Sequence, residues 1–388
     1  MGLIIKFYCK RCIELPIEKA DHSKVKKLNR NAIYRFLYKR ELQSKQDIAY
    51  ALQLSLPTVT QNVNELLSAG LLAEKGEFGS TGGRKAKALQ LEYGARYSVG
   101  LDVTRNHVGI VIIDLGCRVI DFSRYRLPFQ NKPAYFEKIG KLIAQSIAKT
   151  GINTQKILGV GIGVPAIVSN DHQTATYGPV IGFTGGKLEQ FSRYIDYPCM
   201  LCNDANAAGF AEIWHRSIDD NMIYISLSKS VGGAILIDGN ICYGSNQRAG
   251  EVGHITVVPN GPLCYCGQRG CLDAVCNSQI LAKTSNDNLS LFFEQLDSDT
   301  ERQALWTTYL EHLAVCINIL RMTLDCNIVL GGYVGSYMDQ YIDRLRQMVA
   351  ARNPFEPDGS YLDVCSYKFE ATAVGAALIY VDRFIRKI

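Results

Sequence analysis

Residues 254–271 read HITVVPNGPLCYCGQRGC, and few folds can accommodate that spacing. His254 is followed by Cys264-x-Cys266 and, after a glycine-rich turn, by Cys271, which confines one imidazole and three thiols to a short loop. Three thiolates and an imidazole make a complete tetrahedral set for structural zinc. The run is bracketed by Gly250-Glu251-Val252-Gly253 on one side and Leu272-Asp273 on the other. A metal knot flanked by two carboxylates suggests a rigid scaffold that presents polar groups to a small polar ligand, as a sensor or an enzyme would.

The other cysteines do not cluster in this way. Thirteen is an odd total, and Cys117, Cys316 and Cys326 stand in apolar segments, where a thiol acts as a small core hydrophobe. Scattered thiols suit a reducing compartment, in which clustered ones serve as metal ligands rather than disulfides. Cys9-x-x-Cys12 has no second Cys/His pair nearby and reads as an accident of an N-terminal extension, residues 1–28, to which no role is assigned. The 388 residues suffice for two or three domains with their own cores. No apolar run reaches the roughly 18–20 residues that span a bilayer, and the N-terminal apolar patch is interrupted by charge too early for a signal peptide. A cytoplasmic protein without membrane insertion is expected.

The net charge of +5 hides an asymmetry: residues 1–96 hold 17 Lys/Arg against 9 Asp/Glu, whereas the remainder is mildly acidic. A basic head on an acidic body is the footprint of a nucleic-acid-binding module joined to something else. Within residues 29–95 the pattern is helical to about Leu72. Ile33, Phe36 and Leu37 recur at helical spacing, Ser44 opens a second short helix, and Ser55 caps a third, with Pro57 in its first turn. Val59, Val63, Leu66 and Leu67 give that helix a buried stripe, leaving Thr58, Gln61, Asn62 and Asn64 largely on the other side. Two short helices and a tight turn read as helix-turn-helix, with Thr58, Gln61 and Asn62 placed to meet base edges in the major groove of double-stranded DNA. The following GEFGSTGGRKAKALQLE reads as a hairpin wing whose tip carries Arg84 and Lys85, suited to the DNA backbone or the minor groove.

Residues 96–388 read as two α/β lobes, about 96–205 with the final helix 371–388, and about 206–370. Each opens on a β-hairpin run, Tyr97–Asp114 and Asn221–Ile241, followed by helix and glycine-rich turns. That repetition suggests a two-lobed actin-like, sugar-kinase-type architecture with its ligand in the cleft; from periodicity alone a doubly wound α/β fold is equally tenable.

Particular residues go further than periodicity. Gly82-Gly83-Arg84, Gly161-Ile162-Gly163-Val164-Pro165, Asn203-Asp204-Ala205-Asn206-Ala207-Ala208, Gly250-Glu251-Val252-Gly253-His254, the cysteine cluster and Gly331-Gly332 together resemble the ROK family (repressors, open reading frames and sugar kinases), in particular its winged-helix repressor branch. The resemblance spans about residues 29–388. It implies that His254, Cys264, Cys266 and Cys271 hold a structural zinc ion, and that Asn203, Asp204, Glu251, His254 and Asp273 contact a sugar. Where the family has a glutamate this chain has Asp273, one methylene shorter, so that contact is lost or retuned.

In the family's kinases the aspartate matching Asp204 is the general base, and ATP phosphates rest on glycine turns. Here the first turn reads Asp102-Val103-Thr104-Arg105-Asn106, without glycine, and Ser228-Lys229-Ser230-Val231 precede Gly232-Gly233. Side chains there would crowd a triphosphate, and Arg105 or Lys229 can fill its place with charge. Phosphoryl transfer depends on positioning, so no catalytic residue is assigned. The chain is expected to be a sugar-responsive transcription regulator of the repressor kind, binding a two-fold operator as a homodimer or tetramer. The alternatives are an active ATP-dependent sugar kinase with a DNA-binding head, and a regulator whose inducer is a partner protein.

Overall fold

A computed structural model describes residues 22–38, 40, 42–77, 87–216 and 221–388. The wing-tip residues Arg84 and Lys85, and Cys9-x-x-Cys12, lie outside the described residues. The chain forms two compact units, Met1–Ala95 with Arg383–Ile388, and Arg96–Asp382.

In the smaller unit three helices, α1 (His22–Leu37), α2 (Lys45–Leu52) and α3 (Leu56–Ser68), precede an antiparallel pair, β1 (Leu72–Glu77) and β2 (Lys87–Leu91). Local chemistry sets the helix ends. The Ser44 hydroxyl accepts the Asp47 N–H at 3.1 Å while the Asp47 carboxylate accepts the Ser44 N–H at 2.8 Å, a reciprocal capping box. Gln53 then stops α2 in the left-handed region, with φ 53°. Ser55 accepts the Thr58 N–H, and Pro57 sits in the first turn of α3, where its missing N–H costs nothing. Ile33, Leu37, Ile48, Val59 and Val63 are fully or almost fully buried between the helices.

Two features depart from the sequence reading. Helix α1 begins at His22 rather than near Asn29, because its first turns are held by charge instead of an apolar stripe: Lys26 and Arg30 both pair with Glu65 on α3. Asn62 is not on the outer face. It is 1% exposed, its amide donates to the Thr58 carbonyl at 2.8 Å, and it shares the buried stripe with Val59, Val63 and Leu66. The 59-62-63-66 spacing is itself helical and outweighs residue polarity.

The larger unit contains the same sheet twice. Strands β3 (Tyr97–Val103), β4 (His107–Asp114) and β5 (Val119–Arg126) form an antiparallel meander. After helix α4 (Pro133–Thr150), β6 (Ile157–Val164) adds parallel to β3. A small sheet of β7 (Ile167–Val168), β8 (Thr174–Tyr177) and β9 (Gly186–Lys187), then helix α5 (Glu189–Ser192), lead to β10 (Cys199–Asn203), parallel to β6. The order is β10-β6-β3-β4-β5. Helix α6 (Asp204–Arg216) opens the second lobe, followed by β11 (Met222–Leu227), β12 (Val231–Ile237) and β13 (Asn240–Ile241), again antiparallel. Helices α7 (Leu272–Cys276), α8 (Ser278–Ala282), α9 (Leu289–Glu294) and α10 (Thr300–Leu324) precede β14 (Asn327–Gly331). Helices α11 (Gly332–Gly335) and α12 (Ile342–Ala350), strand β15 (Leu362–Val364) and helix α13 (Ala371–Lys387) complete the chain. This sheet runs β13-β12-β11-β14-β15, with β14 and β15 parallel. Three antiparallel strands plus two parallel ones, twice over, exclude a doubly wound parallel sheet and give the actin-like arrangement.

Glycine lets the two lobes share a spine. A Cβ on Gly100 of β3 would lie 1.7 Å from the Ala373 carbonyl oxygen of α13, and one on Gly375 would lie 1.7 Å from that of Ala207 in α6. Backbone thus meets backbone between the first-lobe sheet, α13 and α6, and α6 packs on β11 and β12. The last six residues of the chain group with the smaller unit, where Arg30 and Asn31 donate to the Ile388 and Ile385 carbonyls, so α13 does not belong wholly to the first lobe.

Candidate ligand cleft and metal centre

Strand register brings the cleft carboxylates together. Asp102 on β3 stands opposite Gly163 on β6, and Gly163 stands opposite Cys202 on β10, so Asp102 and Asp204 emerge at the same end of one sheet. A cavity of about 490 Å³ opens there, lined by Asp102 of β3, by Thr104 and Arg105 of the β3–β4 turn and by Asp204 of α6. Its far wall is Ser228, Lys229 and Ser230 of the β11–β12 turn, with Asp273, Lys283, Gly332 and Tyr333. A narrower recess beside it is walled by Asn203, Asp204, Gly232, Glu251 and Tyr265.

Of the residues expected to bind sugar, Asn203, Asp204 and Glu251 therefore share one recess, and Asp273 faces the larger cavity with Asp204. Asn203 is also structural: its amide donates to the Ala166 carbonyl and its oxygen accepts the Asn206 N–H, closing the first turn of α6. Asp273 is 5% exposed and accepts the Val231 N–H, so one carboxylate oxygen is held by the protein itself. His254 lines neither space. Its Nε2 instead faces the Tyr265 hydroxyl at 3.2 Å and Glu251 at 3.9 Å.

The electrostatics favour protons on these carboxyls. Burial, and then the charge of Asp204, pushes Asp102 up to about 7. Burial and the neighbouring Glu251 likewise push Asp204 up to about 7, although it accepts the Ala205 N–H. Burial raises Glu251 and Asp273 as well. Carboxyls driven upward this way are poised as hydrogen-bonding groups for a neutral hydroxyl-bearing ligand.

Where a kinase places glycine turns, this chain places side chains that take backbone N–H donors. The Thr104 hydroxyl accepts the His107 N–H at 3.0 Å, closing the first turn. The Ser228 hydroxyl reaches across to the Tyr333 N–H at the start of α11, at 3.3 Å. Those backbone donors are spent within the protein.

Beside the recess, the ligand atoms of His254, Cys264, Cys266 and Cys271 all lie within 4.8 Å of one another. Cys266 and Cys271 sulfurs are 3.7 Å apart, and Cys264 sulfur is 3.8 Å from His254 Nδ1. Thiolates around one zinc at about 2.3 Å sit about 3.7–3.8 Å apart in a tetrahedron, so the donor set and its spacing fit the ion. Gly270, at φ 75°, lets the loop close: a Cβ there would lie 1.7 Å from the Val258 carbonyl oxygen. In the smaller unit, Gln61 and Asn64 are exposed on α3, and the half-buried Thr58 shares a 2.8 Å hydrogen bond with Ser55.

Sequence reasoning passed over Tyr265, which had a signal, since it stands between Cys264 and Cys266. Asp102 entered it only as the opening of a turn without glycine, and its place beside Asp204 needed the strand register.

A two-lobed actin-like body with a Cys3His centre at the edge of its carboxylate-lined cleft defines the class. The ROK family model matches residues 98–383, and the chain belongs to the ROK family. The xylose repressor of Bacillus subtilis is 26% identical over 382 residues, covering 95% of this chain and 99% of its own length. The DNA-binding transcriptional dual regulator NagC of Escherichia coli is 28% identical over 254 residues, 65% of this chain and 63% of its own. Among solved structures, a ROK family transcriptional regulator homologous to the Escherichia coli MLC protein superposes with a TM-score of 0.73 at 20% identity, covering 94% of this chain and 97% of its own. A ROK family glucokinase from Streptomyces griseus, in complex with glucose and AMPPNP, gives 0.60 at 20% identity over 73% of this chain and 98% of its own. Among the described residues no helix is long and apolar enough to cross a membrane.

Proposed function

We propose that this chain is a sugar-responsive transcription repressor of the cytoplasm that binds operator DNA as a homodimer. The observation that carries the reading is the extent of the repressor similarity: it runs through the N-terminal helices as well as the ROK body, over 95% of the chain. The kinase likeness stops at 73%. In this reading α2 and α3 are a helix-turn-helix and the β1–β2 hairpin its wing. Gln61 addresses base edges while Arg84 and Lys85 hold the phosphate backbone. Asn203, Asp204 and Glu251 contact the hydroxyls of a monosaccharide. His254, Cys264, Cys266 and Cys271 hold zinc, which fixes the recess wall through Tyr265. Sugar favours one closure of the lobes over another, and its differential affinity for the two states sets how far DNA affinity can change.

Fluorescence anisotropy at fixed salt, with DNA from upstream of the protein's own gene and a panel of monosaccharides, tests this. Specific binding released by one sugar is expected. Turnover of ATP with any of those sugars in a coupled assay, without DNA binding, would replace the reading with that of a kinase.

A further inference from the structure

Helix α3 carries no Lys or Arg, and its one charge, Glu65, pairs with Lys26 and Arg30 of α1. Most of the polar side chains along it are committed within the protein. The Thr58 hydroxyl shares a 2.8 Å hydrogen bond with Ser55, and Asn62 is buried with its amide on the Thr58 carbonyl. The Asn64 side-chain oxygen accepts from the Lys45 ammonium at 3.3 Å. At the start of the helix stands an exposed apolar pair, Leu56 and Pro57, with Leu56 45% exposed. Capping does not call for a leucine at that position. The Ser55 hydroxyl closes the helix end, and the residue before the cap, where an apolar staple stands, is Leu54. A lone exposed leucine means little on most surfaces. Its place in the first turn of α3 is what gives this one a use.

We infer that Leu56 reads the 5-methyl group of a thymine in each operator half-site, an assignment that rests on the helix-turn-helix reading of α2 and α3. The N-terminal residues of a recognition helix are the ones that reach base edges, and Leu56 is the first residue of α3. In the major groove the thymine methyl is the apolar group that a base edge offers, and leucine is the apolar side chain that meets it. Guanine is most often read by arginine or lysine, and α3 has neither, whereas glutamine pairs with adenine. The helix is therefore built to tell A·T pairs apart. Gln61 follows Leu56 by five residues, about 7.5 Å along the axis at about 1.5 Å per residue. Base pairs stack about 3.4 Å apart, so with α3 lying along the groove the thymine is about two steps from the base that Gln61 addresses. The contact makes no hydrogen bond. It distinguishes thymine from uracil, whose hydrogen-bonding edge is the same.

The test takes a duplex selected by the full chain from a randomised pool and replaces each of its thymines singly by deoxyuridine, which removes only the methyl group. Fluorescence anisotropy at one salt concentration reads the affinities. For the parent, one replacement in each half-site is expected to weaken binding about fourfold, the worth of one buried methyl group. Leu56→Ala should bind the thymine duplex about as weakly as the parent binds that uracil duplex, and should lose all response to the replacement at an unchanged melting temperature. Leu56→Met keeps the apolar reach and should keep the response. Specific binding in which no thymine replacement depends on residue 56 overturns the methyl contact and leaves the repressor reading in place. A loss in Leu56→Ala that is equal on the selected duplex, on every uracil duplex and on scrambled DNA overturns it in favour of a contact to the DNA backbone or to another chain. A parent that selects no sequence from the pool overturns both the contact and the helix-turn-helix reading.

Discussion

The Tyr265 hydroxyl lies 3.2 Å from His254 Nε2, and the two rings meet edge to face with centroids 5.2 Å apart. Nδ1 is turned to the Cys264 sulfur, so with a metal ion on Nδ1 the proton would sit on Nε2 and be donated to the Tyr265 oxygen. That contact fixes the imidazole tautomer and ring plane, as outer partners of metal-bound histidines do. Tyr265 is also a wall of the recess that holds Asn203, Asp204 and Glu251. One side chain therefore joins the metal knot to the ligand space.

Tyr265→Phe keeps the ring and removes the acceptor. The variant is expected to fold and to carry zinc, but to release it to a chromogenic chelator about tenfold faster than the parent, in line with losing an outer partner. Release at the parent rate would mean that the hydroxyl has no hold on His254.

Asp273 ties the first residue of β12 to α7, directly after the metal loop. Its carboxylate accepts the Val231 N–H, and its own carbonyl accepts from the Asn277 amide at 2.7 Å. Asp273→Ala leaves a buried N–H without an acceptor and should lower stability by about 2 kcal/mol. Asp273→Asn retains an oxygen and should cost less than half as much. Urea melts of the three proteins decide it, and equal midpoints would show that the bond to Val231 contributes nothing.

Asp102 and Asp204 give the fold a pH dependence of definite sign. Both have folded values of about 7 against 3.8 for the ordinary side chain. Between those values the native state holds protons that the unfolded chain has released, so stability is full below about pH 4 and falls as pH rises toward 7. Asp204→Asn removes the cost of the buried charge. It should be about 1–3 kcal/mol more stable than the parent at pH 8, less than the whole shift because water reaches the cleft, and no more stable at pH 4. A stability gain that is the same at both pH values would contradict the assignment.

How much of this was legible beforehand depended on how local the cause was. Ser44, Ser55 and Pro57 set helix ends through neighbours three residues away or fewer, and their roles can be read from the sequence. The metal quartet is legible for the same reason, since its four members share one short loop. Asp102 and Asp204 are a hundred residues apart and meet only through the pairing of β3, β6 and β10, which no local pattern encodes. The start of α1 was missed because Lys26 and Arg30 hold it by pairing with Glu65 rather than by apolar periodicity. Asn62 was misplaced because its polarity was given more weight than its spacing.

Asn62 offers the sharpest test of the DNA-facing surface. Its side-chain oxygen is buried without a partner among the described residues, and its amide returns to the Thr58 carbonyl of its own helix. Asn62→Leu should raise stability by about 1 kcal/mol, because an orphaned buried acceptor is exchanged for an apolar group of similar size. It should leave operator preference untouched. Gln61→Ala, one residue away on the exposed face, should do the reverse, with a melting temperature close to the parent's and discrimination between operator and scrambled DNA reduced by about 1–3 kcal/mol. Anisotropy titrations at one salt concentration, paired with thermal melts, separate the two effects. If Asn62→Leu were to change base preference while Gln61→Ala did not, the face of α3 turned to DNA would be the one now placed in the core.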